Sequence, residues 1–501
     1  MSPPAVTEAP TAAGLSTLAR RAQRRYEEME LDQLPERLHR DSRLYYYLSV
    51  YPSLRSLPAL SPEDIDAIEP PKPVRSAYLH VPFCSGVCDF CSYFLVPLAR
   101  HRSVGLEDYL VHARREIDLH RQRGPLEIAY LYVGGGTPSL LAPDSLDDFL
   151  AGLMDDGILR PPLLATFELH PELFHQPEKA NHFLDVLQRR GISRVSLGYQ
   201  SSDEALLERH RRRHDTAFLA DAVARVRDRG LYFNLDLMYA MPGQSHDAWE
   251  HSLDSALEVA PDSVSTYFLN VDRGTPLHHQ VKQGRVQLPS HRHQQELRLM
   301  AQLVLEENGF LELPNDFWGR VDPQHGDPDT FRQIQLPSDT HTLPLGPGAY
   351  GWLDDTQLCT VFDLPGWRQR LDAGQPGLWR GLRLTAEQRL RRDIMFSFKN
   401  DPALDPALFQ QRYGTTPDAA FPELFQLLLD LGLLHRRRPP GLPADAPPDL
   451  ALTPKGRLLV EEIASLFRDP RLDQPAPAQP WEQKLLDKHS FAPSYGMGVG
   501  G

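Results

Sequence analysis

The sequence holds no run approaching the roughly 18 apolar residues that a membrane-spanning helix requires, so no membrane partner is expected. Its first residues, MSPPAVTEAP, lack the basic and apolar regions of a secretory leader, and a cytoplasmic location is expected. Cysteine is scarce. Four in 501 residues do not make a disulfide framework. Positive charge is also in deficit, with 53 Lys+Arg against 67 Asp+Glu and a net charge of −14. That balance disfavours non-specific attraction to nucleic acid, and no nucleic-acid partner is expected. No internal repeat of fixed period is visible. What is present is an ordinary globular mix, 41% hydrophobic and 24% charged, which excludes disorder throughout. At roughly 150 residues per domain the length implies two to three domains. The 46 prolines gather largely in linkers and near the ends.

Between about 76 and 280 the pattern alternates. Short apolar runs at 76–81, 129–135, 165–170, 194–200, 232–240 and 263–270 read as buried parallel strands. Amphipathic stretches at 107–122, 144–154, 178–190, 203–209, 216–229 and 246–259 read as the helices between them. Strand-then-helix repetition makes an α/β domain with a parallel sheet. Six units fall short of the eight of a closed TIM barrel, so a partial (β/α)6 barrel is expected, with ligands at the C-terminal strand ends. Residues 1–75 read as a helix and a tyrosine-rich arm, 76–375 as the barrel with its extension, and 376–468 as a small helical, winged-helix-like domain. One more helix is expected at 291–309, and an irregular segment around 345–353. The Pro/Gly-rich tail at 469–501 is expected to be disordered.

Three of the four cysteines, Cys84, Cys88 and Cys91, fall within eight residues just after the first strand. Three thiolates on one loop can hold three irons of a four-iron cluster and leave the fourth open. An open iron can take the amino and carboxylate groups of S-adenosylmethionine and reduce its sulfonium, giving methionine and a 5′-deoxyadenosyl radical. The competing reading is a zinc knot with His80 as fourth ligand. A set of unliganded buried cysteines is the third. Cys359 stands alone and reads as a small core hydrophobe.

Other candidates follow the same strand ends. Gly134-Gly135-Gly136-Thr137-Pro138 exposes backbone to a charged ligand, or makes a tight turn. Glu168, Gln200 and Asp236 are polar groups that a purely structural strand avoids, and in a partial barrel they point to one mouth. Arg212 either grips a carboxylate or lies on a solvated face. The His-Arg-His at 291–293 reads as a solvated helix start.

The ordered set YLHVPFCSGVCDFCSYF, LYVGGGTPSLL, FELHPE, SLGYQS, NLDLMYAMPGQ and GTPL resembles radical S-adenosylmethionine enzymes of the oxygen-independent coproporphyrinogen III oxidase-like branch. The resemblance runs from about residue 46 to 468. It implies that Cys84, Cys88 and Cys91 hold a [4Fe–4S] cluster, and that Tyr78 and His80 line the cluster and S-adenosylmethionine. It implies that Gly134, Gly135 and Thr137 contact the methionine part, and that Glu168, Gln200, Arg212 and Asp236 help hold the same molecule. Relatives in the branch bind a second S-adenosylmethionine. An electron donor such as flavodoxin or ferredoxin and a small-molecule substrate are the implied partners.

Two departures bear on the reaction. The oxidases carry a further cysteine two residues past the third cluster cysteine, where this chain has Tyr93. Their N-terminal Tyr-Thr-Ser-Tyr-Pro-Thr segment survives only loosely, at Leu48–Ser53. The leading expectation is therefore transfer of a methyl or methylene carbon to an sp2 carbon, as in the branch's methylases and cyclopropane-forming enzymes. Oxidative decarboxylation of coproporphyrinogen III comes second. A haem-binding or haem-trafficking role comes third, and anaerobic haem opening after it.

Overall fold

The computed structural model describes residues 15–35, 38, 50–69, 73–98, 105–212, 216–313, 317–320, 341–400, 403–438 and 447–489. Its centre is a twelve-stranded sheet. The strands are β1 (Val74–Val81), β2 (Leu126–Gly135), β3 (Leu159–Leu169), β4 (Arg194–Gln200), β5 (Tyr232–Tyr239), β6 (Ser263–Phe268), β7 (Leu311–Leu313), β8 (Phe317–Gly319), β9 (Thr342–Leu345), β10 (Tyr350–Leu353), β11 (Thr356–Thr360) and β12 (Leu378–Arg383). Their order is β12-β11-β10-β9-β1-β2-β3-β4-β5-β6-β8-β7. β1 to β6 run parallel in sequence order, as the alternating pattern predicts.

Helices fill the crossovers: α1 (Leu106–Arg123), α2 (Pro143–Asp155), α3 (Pro177–Arg189), α4 (Glu204–Arg209), α5 (Leu219–Arg227) and α6 (His246–Glu258). The local cause is the two-residue alternation of the strands. Val195 and Leu197 of β4 and Phe233, Leu235 and Leu237 of β5 are wholly buried in the main apolar core. Between them stand polar residues in matched register. Ser196 pairs with Asn234, Asn234 with Ser263, and Asp236 with Ser265. Their hydroxyl and amide groups bond one another, as buried polar groups must.

The structure departs from expectation on the other flank of β1. The segment expected to be irregular supplies β9, parallel to β1, then an antiparallel run through β10, β11 and β12. Its strands are four to six residues long and rich in glycine and proline, which hides their period. Buried Glu116 of α1 secures this flank by accepting from Gly346 N at 2.7 Å and Gly377 N at 2.9 Å.

At the N-terminus the helix Thr17–Glu28 buries Leu18, Ala19, Ala22 and Tyr26 against the helix His291–Glu307, so it is a docked element. The tyrosines at 45–47 and residues 1–14 lie outside the described residues. C-terminal to the barrel, α7 (Ala386–Asn400) leads a set of short helices around a three-stranded antiparallel sheet of Ala403–Leu404, Leu434–Arg437 and Asp449–Leu452. The expected disordered tail needs correction. Residues 469–489 form a 3-10 turn and the helix Pro480–His489. Buried Glu482 of that helix accepts from Trp379 and Arg380. Residues 490–501 lie outside the described residues. No described helix is long and apolar enough to cross a membrane.

Candidate active site

At the C-terminal ends of the parallel strands lies a cavity of about 650 Å³. Cys84, Cys88 and Cys91 line it, together with Tyr78, Gly135, Thr137, Glu168, Gln200, Arg212 and Asp236. These residues span 159 positions of sequence, so the parallel topology alone gathers them.

The cysteine loop is fastened from several sides. Cys84 closes a two-residue ladder, Phe83–Cys84 against Val96–Pro97. Its sulfur accepts from the Thr137 hydroxyl at 3.4 Å. Asp89 N donates to His210 O, and His210 Nδ1 meets Asp89 Oδ1 at 3.0 Å in a buried pair. Arg212 Nη1 donates to Cys88 Sγ at 3.7 Å, and its Nη2 donates to Gly198 O. Burial pushes the Cys88 thiol up, and the neighbouring guanidinium opposes that shift. Burial also pushes Cys91 up. Thiols so placed become thiolates only beside strong positive charge, which bound iron would supply.

Their spacing bears on the zinc alternative. One tetrahedral zinc draws its sulfurs to within about 3.8 Å of one another. Among the described residues, the three-residue group with every ligand atom within 4.8 Å of the others is His246, His293 and Glu296. The three cysteine sulfurs do not form such a group. His80 is not available as a zinc ligand either. Its Nε2 donates to Phe94 O at 2.9 Å and its Nδ1 accepts from Tyr78 OH at 2.8 Å. Burial lowers its pKa to about 4, so the ring is neutral.

His80 and Gly134 lie behind the cavity wall rather than on it. The fully buried His80 ring backs Gly135, whose φ is +111° and whose added Cβ would meet the ring at 2.5 Å. A Cβ on Gly134 would meet Glu168 Cδ at 2.7 Å. The glycines thus make room for the His80 ring behind the wall and the Glu168 carboxylate on it. Glu168 accepts from Tyr132 OH at 2.8 Å and Gly135 N at 3.1 Å. Burial raises its pKa to about 7. Asp236 accepts from Ser196 at 3.0 Å and Asn234 at 2.7 Å. Burial raises it to about 6, against the pull of Arg194.

Gln200 holds a φ of +73°, a strained conformation for a side chain other than glycine. Its buried Oε1 has no hydrogen-bond partner, and neither does Arg212 Nε. Orphaned polar atoms on a cavity wall fit a ligand with donors and acceptors of its own.

Sequence reasoning missed most of the aromatic wall. Tyr93, Tyr132, Tyr267, Tyr350 and Phe396 also line the cavity. So does Lys399, whose ammonium pairs with Glu461 at 2.8 Å. The expectation of a solvated 291–293 also fails. His291 is buried, and His293 Nε2 donates to Gln244 O at 2.9 Å.

A parallel half-barrel with a three-cysteine loop and orphaned polar groups at its strand ends defines a class that binds an iron–sulfur cluster and a polar cofactor. Residues 78–256 match the Radical SAM superfamily, so a radical SAM domain occupies that part of the chain. The chain is 25% identical over 406 residues to the heme chaperone HemW of Bacillus subtilis (strain 168), covering 79% of this chain and 99% of that protein. It is 27% identical over 431 residues to the oxygen-independent coproporphyrinogen III oxidase of Salmonella typhimurium (strain LT2), covering 83% of this chain and 90% of that protein. Coproporphyrinogen III oxidase (HemN) from Escherichia coli matches in structure with a TM-score of 0.70 at 24% identity, over 84% of this chain and 96% of that one. That likeness shows the fold, an α/β architecture with a helical C-terminal portion.

Proposed function

We propose that this chain cleaves S-adenosylmethionine reductively and directs the resulting radical at a substrate other than coproporphyrinogen III. The carrying observation is that the three cysteines and the unpartnered Gln200 Oε1 line one cavity of about 650 Å³. Cys84, Cys88 and Cys91 would hold a [4Fe–4S] cluster, which supplies one-electron reduction of the sulfonium when bound. Gln200, Glu168 and Asp236 would bind the amino acid and ribose parts of the cofactor. Arg212 would steady the cluster loop through Cys88. The tyrosine wall would keep water from the radical. Tyr78 and His80 would act as a unit, the tyrosine on the wall and the histidine holding it from behind. An electron donor of the flavodoxin or ferredoxin kind would feed the cluster.

For the second half-reaction we propose carbon transfer from a second S-adenosylmethionine to an sp2 carbon. Two observations support it over decarboxylation of a tetracarboxylate. Tyr93 occupies the place of the oxidases' further cysteine. The described cavity wall is also ill suited to four propionates. Its cations are Arg211, Arg212 and Lys399, the last paired with Glu461, against the carboxylates Glu168, Glu172, Asp236 and Asp272. Like charges brought together in a closed site repel at several kcal/mol. The second reading remains oxidative decarboxylation, favoured by the 27% identity that spans 90% of the Salmonella oxidase.

The test is anaerobic incubation of reconstituted protein with reductant, S-adenosylmethionine and coproporphyrinogen III, followed by mass spectrometry. 5′-Deoxyadenosine with intact coproporphyrinogen is the expected result. Decarboxylated porphyrinogen would refute carbon transfer and establish the second reading.

A further inference from the structure

Asp272 is a carboxylate on the cavity wall that stands outside the cofactor set. It follows β6 in the run Asn270-Val271-Asp272-Arg273-Gly274-Thr275. The turn is rigid. Thr275 donates to Asp272 O through its hydroxyl at 2.7 Å and its N–H at 3.2 Å, and Gly274 takes a φ of +86°. The same turn is bolted to the cysteine loop at two points. Leu277 N donates to Asp89 O at 2.8 Å, and the Ser92 hydroxyl donates to the Asp272 carboxylate. Ser92 and Tyr93 are the two residues at which this chain leaves the oxidases' Cys-Gly-Cys run. Both act here: Ser92 orients Asp272, and Tyr93 lies within its electrostatic reach. Tyr350 of β10, also on the cavity wall, feels the same charge.

Among the described residues no salt bridge reaches Asp272. Its one hydrogen-bonding side chain, Ser92, is neutral. A half-buried carboxylate on a cavity wall without a cation is left uncompensated until a ligand brings one. The surrounding rings add to the case. Tyrosine and phenylalanine faces attract cations, and Tyr93, Tyr267, Tyr350 and Phe396 share this wall.

We propose that Asp272, set by Ser92, is the residue that selects the substrate, and that it takes a cationic nitrogen or N–H donor carried on an aromatic or unsaturated ring. The proposal rests on the reading of the cavity as a chamber for cofactor and substrate, and it names the substrate class. S-Adenosylmethionine is itself a cation, so the test must separate the two sources of positive charge.

Protein carrying four irons per chain and saturated with S-adenosylmethionine is titrated anaerobically, by calorimetry, with tryptamine and with indole-3-acetate. These carry opposite charges on the same ring. Tryptamine is expected to bind at least about tenfold more tightly, the effect of one charge-assisted contact. In Asp272→Asn the two affinities should converge to within about twofold, with affinity for S-adenosylmethionine unchanged. Equal affinities in the wild type, a preference for the acid, a preference that survives in Asp272→Asn, or no tryptamine binding at about 1 mM would each overturn the proposal. Weakened S-adenosylmethionine binding in Asp272→Asn would assign the carboxylate to the cofactor and overturn it too. If the cluster-loaded wild type binds no S-adenosylmethionine, the preceding reading of the cavity fails, a result separable from any outcome with the probes.

Discussion

Asp236→Asn should make the protein more stable and a worse binder of its cofactor at once. The carboxylate is half-buried on the cavity wall, and desolvation there raises its pKa to about 6. Against an ordinary aspartate near 3.9, that shift of about 2 units is worth about 2.7 kcal/mol at 1.36 kcal/mol per unit. The sign follows from proton binding. Between about pH 4 and 6 the folded form holds a proton that the unfolded form has lost, so stability falls as pH rises through that window. Above pH 6 the full cost is present. The amide of Asn cannot accept every bond that Ser196 and Asn234 now donate, which costs about 1 kcal/mol. A net gain of about 1.7 kcal/mol at pH 8 remains, and by about pH 4 it should reverse to a small net loss, because only the lost hydrogen bonding persists there. Loss of the charge should weaken S-adenosylmethionine binding by about tenfold to a hundredfold, the value of one charged hydrogen bond. Chemical denaturation at pH 4, 6 and 8 reads the first effect, and equilibrium dialysis of cluster-loaded protein reads the second. Reduced stability at pH 8, or unchanged cofactor affinity, would show that the Asp236 charge is a structural feature and refute the reasoning.

Other substitutions test other joints of the site. Alanine at Cys84, Cys88 or Cys91 should each abolish the brown absorbance and the four irons per chain; a variant that keeps both would remove its cysteine from the ligand set. Gly136→Ala places a Cβ 2.5 Å from Phe83 O and 2.9 Å from Val81 O, so it should cost about 1–3 kcal/mol and lower iron retention by shifting the backbone before Cys84. Normal denaturation and iron content would show that the backbone there is free to yield. Glu116→Ala strips the partner from Gly346 N and Gly377 N inside the core and should cost about 3–5 kcal/mol in denaturant titration. A loss under about 1 kcal/mol would mean that those N–H groups find other acceptors.

The six parallel strands were legible because each pairs a β-branched or aromatic run with a following amphipathic helix. Cys84, Cys88 and Cys91 were legible because crowded cysteines have no packing reason to be together. Glu168, Gln200 and Asp236 stood out as polar residues closing apolar strands. Less visible was the division of labour around them. Nothing in the order of residues says that His80 supports Tyr78 from behind, or that Gly134 exists to clear Glu168. The aromatic wall was hidden for another reason. Tyr132 and Tyr267 fit the strand pattern as ordinary β formers, and only the curvature of the sheet turns them inward. The strands β9 to β12 are too short and glycine-broken to show a period. Helix Pro480–His489 was obscured by the proline-rich approach before it.

The reductive cleavage itself is the most direct test of the central claim. Anaerobically reconstituted protein, dithionite and S-adenosylmethionine are incubated, and 5′-deoxyadenosine is quantified beside a Cys88→Ala control. Formation of 5′-deoxyadenosine and methionine by the wild type alone is the predicted result. A wild-type protein that carries four irons and yet forms none, or a Cys88→Ala variant that forms as much, would contradict it.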